Sequence, residues 1–291
     1  MTTPPHHLPT AASEGFKDAS AYDAYRPSYS SEAVDRFLAH LKIADRANVN
    51  VVEIASGTGK FTELLAERHE NYNVLATEPL ESMRGQLVAK KLRNVTVLDG
   101  HAAKLPVDDG WGDACIAAQS FHWFATGEAL REIRRVLKPK AVFGMIWNIE
   151  DYNKPKSWKA TTSWEAKLNE WIWSIATDGL PRFRDEAWQN VFADQLKFNP
   201  FQILKDSLTD GLPRFSLPLG EDSVKWTVWL SEDALWARIN TLSQVAILKG
   251  GRREEGIRTF KQALQSDDVE RNEKGQIALH GVTYFAWTDR I

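Results

Sequence analysis

Three groups of residues in this chain have the types and spacing that chemistry requires. The first is the stretch Val51-Val52-Glu53-Ile54-Ala55-Ser56-Gly57-Thr58-Gly59-Lys60, where an apolar run gives way to a turn with two glycines. Glycine lets a backbone approach a ligand closely, and the free N–H groups at the start of a following helix favour a negative group. The second is Glu78, nineteen residues past Gly59 and directly before Pro79. A carboxylate at that distance from a glycine turn suits the two hydroxyls of a ribose, because it accepts two hydrogen bonds at once. The third is His122 within Gln119-Ser120-Phe121-His122-Trp123, with no Lys, Asp or Glu from Ala114 to Gly127. Imidazole titrates near neutral pH, so His122 is the candidate to move a proton there; packing among aromatics is its other reading.

Ligand classes that use a glycine turn differ in detail. A phosphate-binding P-loop requires Ser or Thr after Gly-Lys, and Gly59-Lys60 is followed by Phe61. That class is excluded. A dinucleotide fingerprint requires a third glycine where Thr62 stands, which weakens that class and leaves it open. The segment around Glu53, Gly57 and Gly59 resembles motif I of class I S-adenosylmethionine-dependent methyltransferases, with Ala55 where that family has its first glycine. The resemblance extends to Tyr22, Arg26-Pro27 and Tyr29 near the start, to Gly100-His101-Ala102-Ala103-Lys104-Leu105-Pro106, and to Ala118-Gln119 with His122-Trp123. This pattern is similar to a small-molecule group that includes trans-aconitate methyltransferase-like enzymes.

The resemblance implies S-adenosylmethionine as cofactor, held by Ala55, Ser56, Gly57 and Gly59 along its methionine part and by Glu78 and Pro79 at the ribose. It further implies contacts from Glu53, Met83, His101, Ala102 and Gln119, with His101 replacing the acid usual at its position. Tyr22 and Arg26 are expected in a lid over the cofactor. His122 is the expected catalytic residue, and Trp123, Trp147 and Asn148 are expected to hold a small, partly apolar acceptor methylated on O, N or S, a carboxylate among the options. An oxidoreductase using NAD(P) and a catalytically idle relative of the same fold stay open as alternatives.

These residues need elements to place them. Val49–Ile54 and Asn73–Thr77 read as short buried strands, as do Asn94–Leu98, Asp113–Ala118 and Ala141–Trp147, with amphipathic helices between them. Ser31 is the expected cap of a first helix carrying Val34, Phe37 and Leu38, and Pro139 the expected stop of a helix over 128–137. Alternating strands and helices predict an α/β, doubly wound, Rossmann-like and mostly parallel sheet with a helical, Trp-rich cap. The expected division is a tail and lid over 1–30, a cofactor-binding core over 31–150, a helical cap over 151–215 and a C-terminal part over 216–291 that completes the sheet. Thr-Asp-Gly-Leu-Pro-Arg-Phe occurs twice, from Thr177 and from Thr209, as a reused turn.

Composition narrows the partners. Across 291 residues the net charge is -3, which offers nucleic acid no general attraction. Arg131, Arg134 and Arg135 read as a solvated helix face. The one cysteine, Cys115, lies in an apolar run and predicts a reducing, cytoplasmic setting without disulfides. Residues 1–13 lack the apolar stretch of a secretory leader and no run reaches membrane-spanning length, so no membrane is expected. Most of the twelve tryptophans follow residue 145, marking a second region distinct in composition from the first.

Overall fold

The computed structural model describes residues 28–175, 179–196 and 214–291. The expected lid residues Tyr22 and Arg26, the first two residues of one repeat copy and the first five of the other lie outside the described residues. Among the described residues seven strands form one sheet in the order β3-β2-β1-β4-β5-β7-β6. They are β1 (Asn50–Ile54), β2 (Asn73–Thr77), β3 (Val95–Leu98), β4 (Gly112–Ala118), β5 (Leu137–Glu150), β6 (Gly220–Leu230) and β7 (Ile277–Asp289). Strands β1 to β5 pair in parallel: β1 lies between β2, with Val52 opposite Leu75, and β4, with Val52 opposite Cys115. The chain therefore builds outward from β1 to β3 and then returns to the other side of β1. Such a reversal leaves a crevice at the carboxyl ends of β1 and β4, where this fold class places ligands.

The helices follow from caps and apolar spacing. Helix α1 (Ser31–His40) is capped by Ser30, whose hydroxyl accepts from the Ala33 N–H. The cap is thus one residue earlier than expected, because Ser30 has the extended backbone a cap needs. Helices α2 (Lys60–Ala66) and α3 (Glu81–Ala89) follow β1 and β2, and α4 (Gly127–Val136) precedes β5. Helix α4 ends at Val136, before Pro139, which sits in the first residues of β5.

The chain divides into two compact units. Among the described residues the first comprises 28–148, 181–196, 214–224 and 283–291. Phe37, Phe61 and Phe285 meet edge to face in its core, beside Val51, Ile116 and Ile146. The second comprises residues 149–180 and 225–282. Its core is formed by helix α5 (Ser163–Ile175), through Trp164, Leu168, Trp171 and Ile172, against Leu235 and Ile239 of helix α6 (Glu232–Ile239) and Phe260. Strands β5, β6 and β7 each contribute residues to both units. The physical reason is that a strand's two ends bury their side chains in different apolar clusters, which periodicity along the chain does not reveal.

Candidate active site

The turn after β1 is held open by unusual backbone. Ala55, Gly57 and Gly59 have φ of 51°, 58° and 85°, the left-handed region that favours glycine. Ala55 carries a strain that a glycine would avoid, and the surrounding bonds hold it there. Ser56 donates its N–H to the Thr77 carbonyl (3.0 Å), tying the turn to the end of β2, and the Gly59 N–H closes on the Ser56 carbonyl (2.9 Å). A side chain on Gly59 would meet Leu87 at 2.3 Å, whereas one on Gly57 would meet nothing nearer than the Met83 sulfur at 3.7 Å. Gly57 therefore faces room for a ligand, bordered by Met83, while Gly59 is required by packing.

Two buried carboxyl groups flank this turn. Glu53 is fully buried; Oε2 accepts from the Thr62 hydroxyl (2.7 Å), and Oε1 has no hydrogen-bond partner. Burial pushes its pKa up to about 8, against the Thr62 bond and with a contribution from the charge of Glu78. Glu78 is 4% exposed, and burial raises its pKa as well. Its two oxygens accept from the Gly57 N–H (2.9 Å) and the Leu80 N–H (2.8 Å). Each carboxylate oxygen retains a second lone pair, so this bonding is compatible with ribose hydroxyls. Arg84 donates to the carbonyls of Glu78 (2.8 Å) and Pro79 (3.1 Å), fixing the chain between β2 and α3.

The end of β4 reaches the same place. Ser120 donates its hydroxyl to the Ile54 carbonyl (3.3 Å), which fastens the segment after β4 to the last residue of β1. Gln119 has φ of 58° and donates its backbone N–H to Ile146 (2.8 Å) and its side-chain amide to the Asn148 carbonyl (2.9 Å). A short 3-10 turn, Phe121–Trp123, then presents His122. Its Nδ1 accepts a hydrogen bond from the indole N–H of Trp147 (3.2 Å).

The remaining expected site residues are placed by contacts of their own. Asn148 is 2% exposed, donates to the Ser28 carbonyl (3.2 Å) and accepts from the Thr283 hydroxyl (2.6 Å). Its side chain ties three segments together. Trp147 is fully buried against Phe183 (4.8 Å between ring centres) and Trp188 (4.9 Å), and its indole N–H holds His122. His101 and Ala102 follow β3, where the His101 carbonyl accepts from Lys104 (2.9 Å) and Ala102 is buried. Sequence reasoning missed Thr62, Thr77 and Ser120, whose hydroxyls bind Glu53 Oε2, the Glu53 carbonyl and the Ile54 carbonyl. A buried hydroxyl on the inner face of α2 was the available signal for Thr62.

Residues 52–145, the segment that contains this site, match a protein family described as a methyltransferase domain. Over this segment the chain is similar to S-adenosylmethionine-dependent methyltransferases, and its sheet is the class I methyltransferase fold. It is 31% identical over 175 residues to an uncharacterized methyltransferase-like protein of Schizosaccharomyces pombe, a match that covers 60% of this chain and 63% of that protein. An uncharacterized methyltransferase of Mycobacterium tuberculosis is 29% identical over 263 residues, 90% of each chain. The fold is similar to that of the YcgJ protein from Bacillus subtilis, with a TM-score of 0.52 and 17% identity over 87% of this chain and 97% of the other. A nicotinamide dinucleotide, the ligand class left open by the sequence, gains no support: Thr62 stands where the third glycine belongs, and its hydroxyl is engaged by Glu53. The cofactor supplies an electrophilic methyl group on a sulfonium. The open face of Gly57, the partnerless Glu53 oxygen and the buried Glu78 carboxylate fit such a group, which carries an ammonium and a ribose. Among the described residues no helix is long and apolar enough to cross a membrane.

Proposed function

We propose that this methyltransferase acts on a small, partly apolar molecule through an anionic oxygen, such as a carboxylate, with His122 as a hydrogen-bond donor to the acceptor. The observation that carries the reading is the Trp147 N–H directed at His122 Nδ1. A ring nitrogen that accepts a hydrogen bond carries no proton, so the neutral imidazole bears its proton on Nε2. In that tautomer Nε2 donates, and the nitrogen that could act as a base is already engaged. A donor at the site stabilises an acceptor that arrives as an anion and serves a hydroxyl or ammonium acceptor, which must lose a proton, poorly. Acceleration then comes from holding the anionic oxygen in line with the methyl group and excluding water. One relative, 28% identical over 132 residues, is named a malonyl-[acyl-carrier protein] O-methyltransferase of Geobacter sulfurreducens.

Glu53, Ala55–Gly59, Glu78 with Pro79, and Met83 are the residues we assign to the cofactor, with Gln119 and Ser120 aligning the end of β4 beside them. His101 and Ala102 are assigned to its adenine side, and Tyr22 and Arg26 to a covering segment. The test is transfer of isotope-labelled methyl from S-adenosylmethionine to matched small organic acids, alcohols and amines. Base-labile label in the acids, with His122→Asn slowing transfer by about tenfold or more and leaving the shape of the pH profile intact, supports the reading. Label in the alcohols or amines alone, with a pH dependence lost in His122→Asn, shows instead that His122 is a base. Cofactor binding with no transfer to any class identifies an idle relative.

A further inference from the structure

The basic run of α4 acquires a different meaning once Arg290 is placed beside it. Arg131, Arg134, Arg135 and Arg290 line a surface cleft of about 560 Å³ with Asp109 and Glu132, all within the unit of residues 28–148, 181–196, 214–224 and 283–291. Arg135 is committed to the fold, since it donates to Glu132 (2.8 Å) and Asp109 (2.7 Å) and to the carbonyls of Leu105 and Val107. The other three differ. Arg134 Nε donates to a backbone carboxylate oxygen of Ile291, residue 291 of 291 (3.4 Å), and Arg290 to the Leu137 carbonyl. Among the described residues, none of Arg131, Arg134 and Arg290 forms an ion pair with an Asp or Glu side chain. Arginines in the last turn of a helix complement its negative end, which accounts for Arg134 and Arg135. It accounts for neither Arg131, a turn earlier, nor Arg290, which comes from beyond β7.

We propose that this cleft is a binding site for a small molecule bearing a phosphate group, held by Arg131, Arg134 and Arg290. A phosphate monoester carries close to two negative charges and three terminal oxygens near pH 7, and guanidinium forks match it in charge and geometry. The cleft volume falls in the range of small-molecule sites. Positive charge concentrated here, in a chain of net charge -3, acts locally and not through a general field. Burial and then the adjacent charge of Arg134 lower the Arg290 pKa, with Asp109 acting in the opposite direction, and a bound anion would act in the same sense as Asp109. The cleft also lies away from the cofactor site. Gly110 donates to the Arg135 carbonyl (2.8 Å) and Gly112 is opposite Leu137, so it sits at the starts of β4 and β5. Gln119 and His122 follow the other end of β4, about 20 Å along a seven-residue strand. Ligand here binds alongside the cofactor.

The experiment is titration of the full chain with inorganic phosphate and glycerol phosphate at fixed ionic strength, followed by calorimetry and phosphorus NMR, with chloride and acetate as controls. One saturable site is expected, weakened at least tenfold in Arg131→Gln/Arg134→Gln/Arg290→Gln, with S-adenosylmethionine affinity unchanged. Phosphate no more effective than chloride, or equal affinity in the triple variant, overturns the proposal. Should that variant fail to fold, Arg131→Glu alone, at an exposed position, must weaken phosphate, and unchanged affinity there also overturns it. An acidic peptide that binds more tightly than glycerol phosphate and is lost in the same variants replaces the small ligand with a protein partner.

Discussion

Removing the Glu78 carboxylate should loosen the cofactor turn even when no cofactor is present. Its two oxygens accept from the backbone N–H groups of Gly57 (2.9 Å), in the turn after β1, and Leu80 (2.8 Å), at the start of α3. Glu78→Ala leaves both donors without an acceptor. A hydrogen bond to a charged group contributes about 1.5 to 3 kcal/mol, and a buried donor left unmade costs about 1 to 3 kcal/mol. Both donors are only partly buried, so water reaches them and the low end applies, about 1 to 1.5 kcal/mol each. The loss of a buried charge offsets part of this, since burial already disfavours the ionised carboxylate. Local opening free energies of that size correspond to exchange faster by roughly five- to tenfold at each amide. Hydrogen–deuterium exchange of the cofactor-free protein, resolved over peptides containing Gly57 and Leu80, measures it. Glu78→Gln should behave similarly, because its amide N–H2 is brought against one of the two donors. If both amides exchange at the wild-type rate in Glu78→Ala while cofactor affinity falls tenfold, Glu78 serves only the ribose and the turn stands without it.

Three further outcomes follow from other contacts. The pKa of Glu53 rises from its ordinary 4.5 to about 8 on folding, so the native state binds the extra proton between those values. Stability from this group is present below pH 4.5 and is lost as pH rises to 8, by an amount on the order of a few kcal/mol; Glu53→Gln should flatten that slope in urea midpoints measured across the range, and an unchanged slope counts against the buried carboxyl. Gly59→Ala places a methyl 2.3 Å from Leu87 Cδ1 at φ of 85°, so strain and overpacking together should cost about 2 to 4 kcal/mol, seen as a lowered thermal midpoint, and a wild-type midpoint would show the turn to be pliable. Nitrogen-15 NMR of His122 should find the neutral ring protonated on Nε2, and Trp147→Phe should convert it to a mixture of tautomers; a ring protonated on Nδ1 in the wild type removes the basis of the donor role.

Much of the site was legible in the chain order because its parts are local. The strand, glycine turn and helix over 50–66, and Glu78 at the end of the next strand, obey short periodicities and steric demands that any window of sequence exposes. Capping is local as well: Ser231 closes on Ala234 as its position before Glu232 and Asp233 implies. What tertiary structure decided is which partner each polar side chain takes. Thr62 reaches Glu53 because α2 folds back on β1, and Asn148 is engaged by Thr283, 135 residues away. Trp147 sets the tautomer of His122 only because β4 and β5 are neighbours, with Ala118 opposite Ile146. Arg290 joins Arg131 and Arg134 only because the chain after β7 returns to the start of β5, where Phe215 bridges Arg290 and Arg290 donates to Ala141 and Leu137. Strand order and register, which depend on contacts distant in sequence, carry this information, and a hydroxyl, amide or guanidinium has the same appearance in the sequence whichever partner it finds.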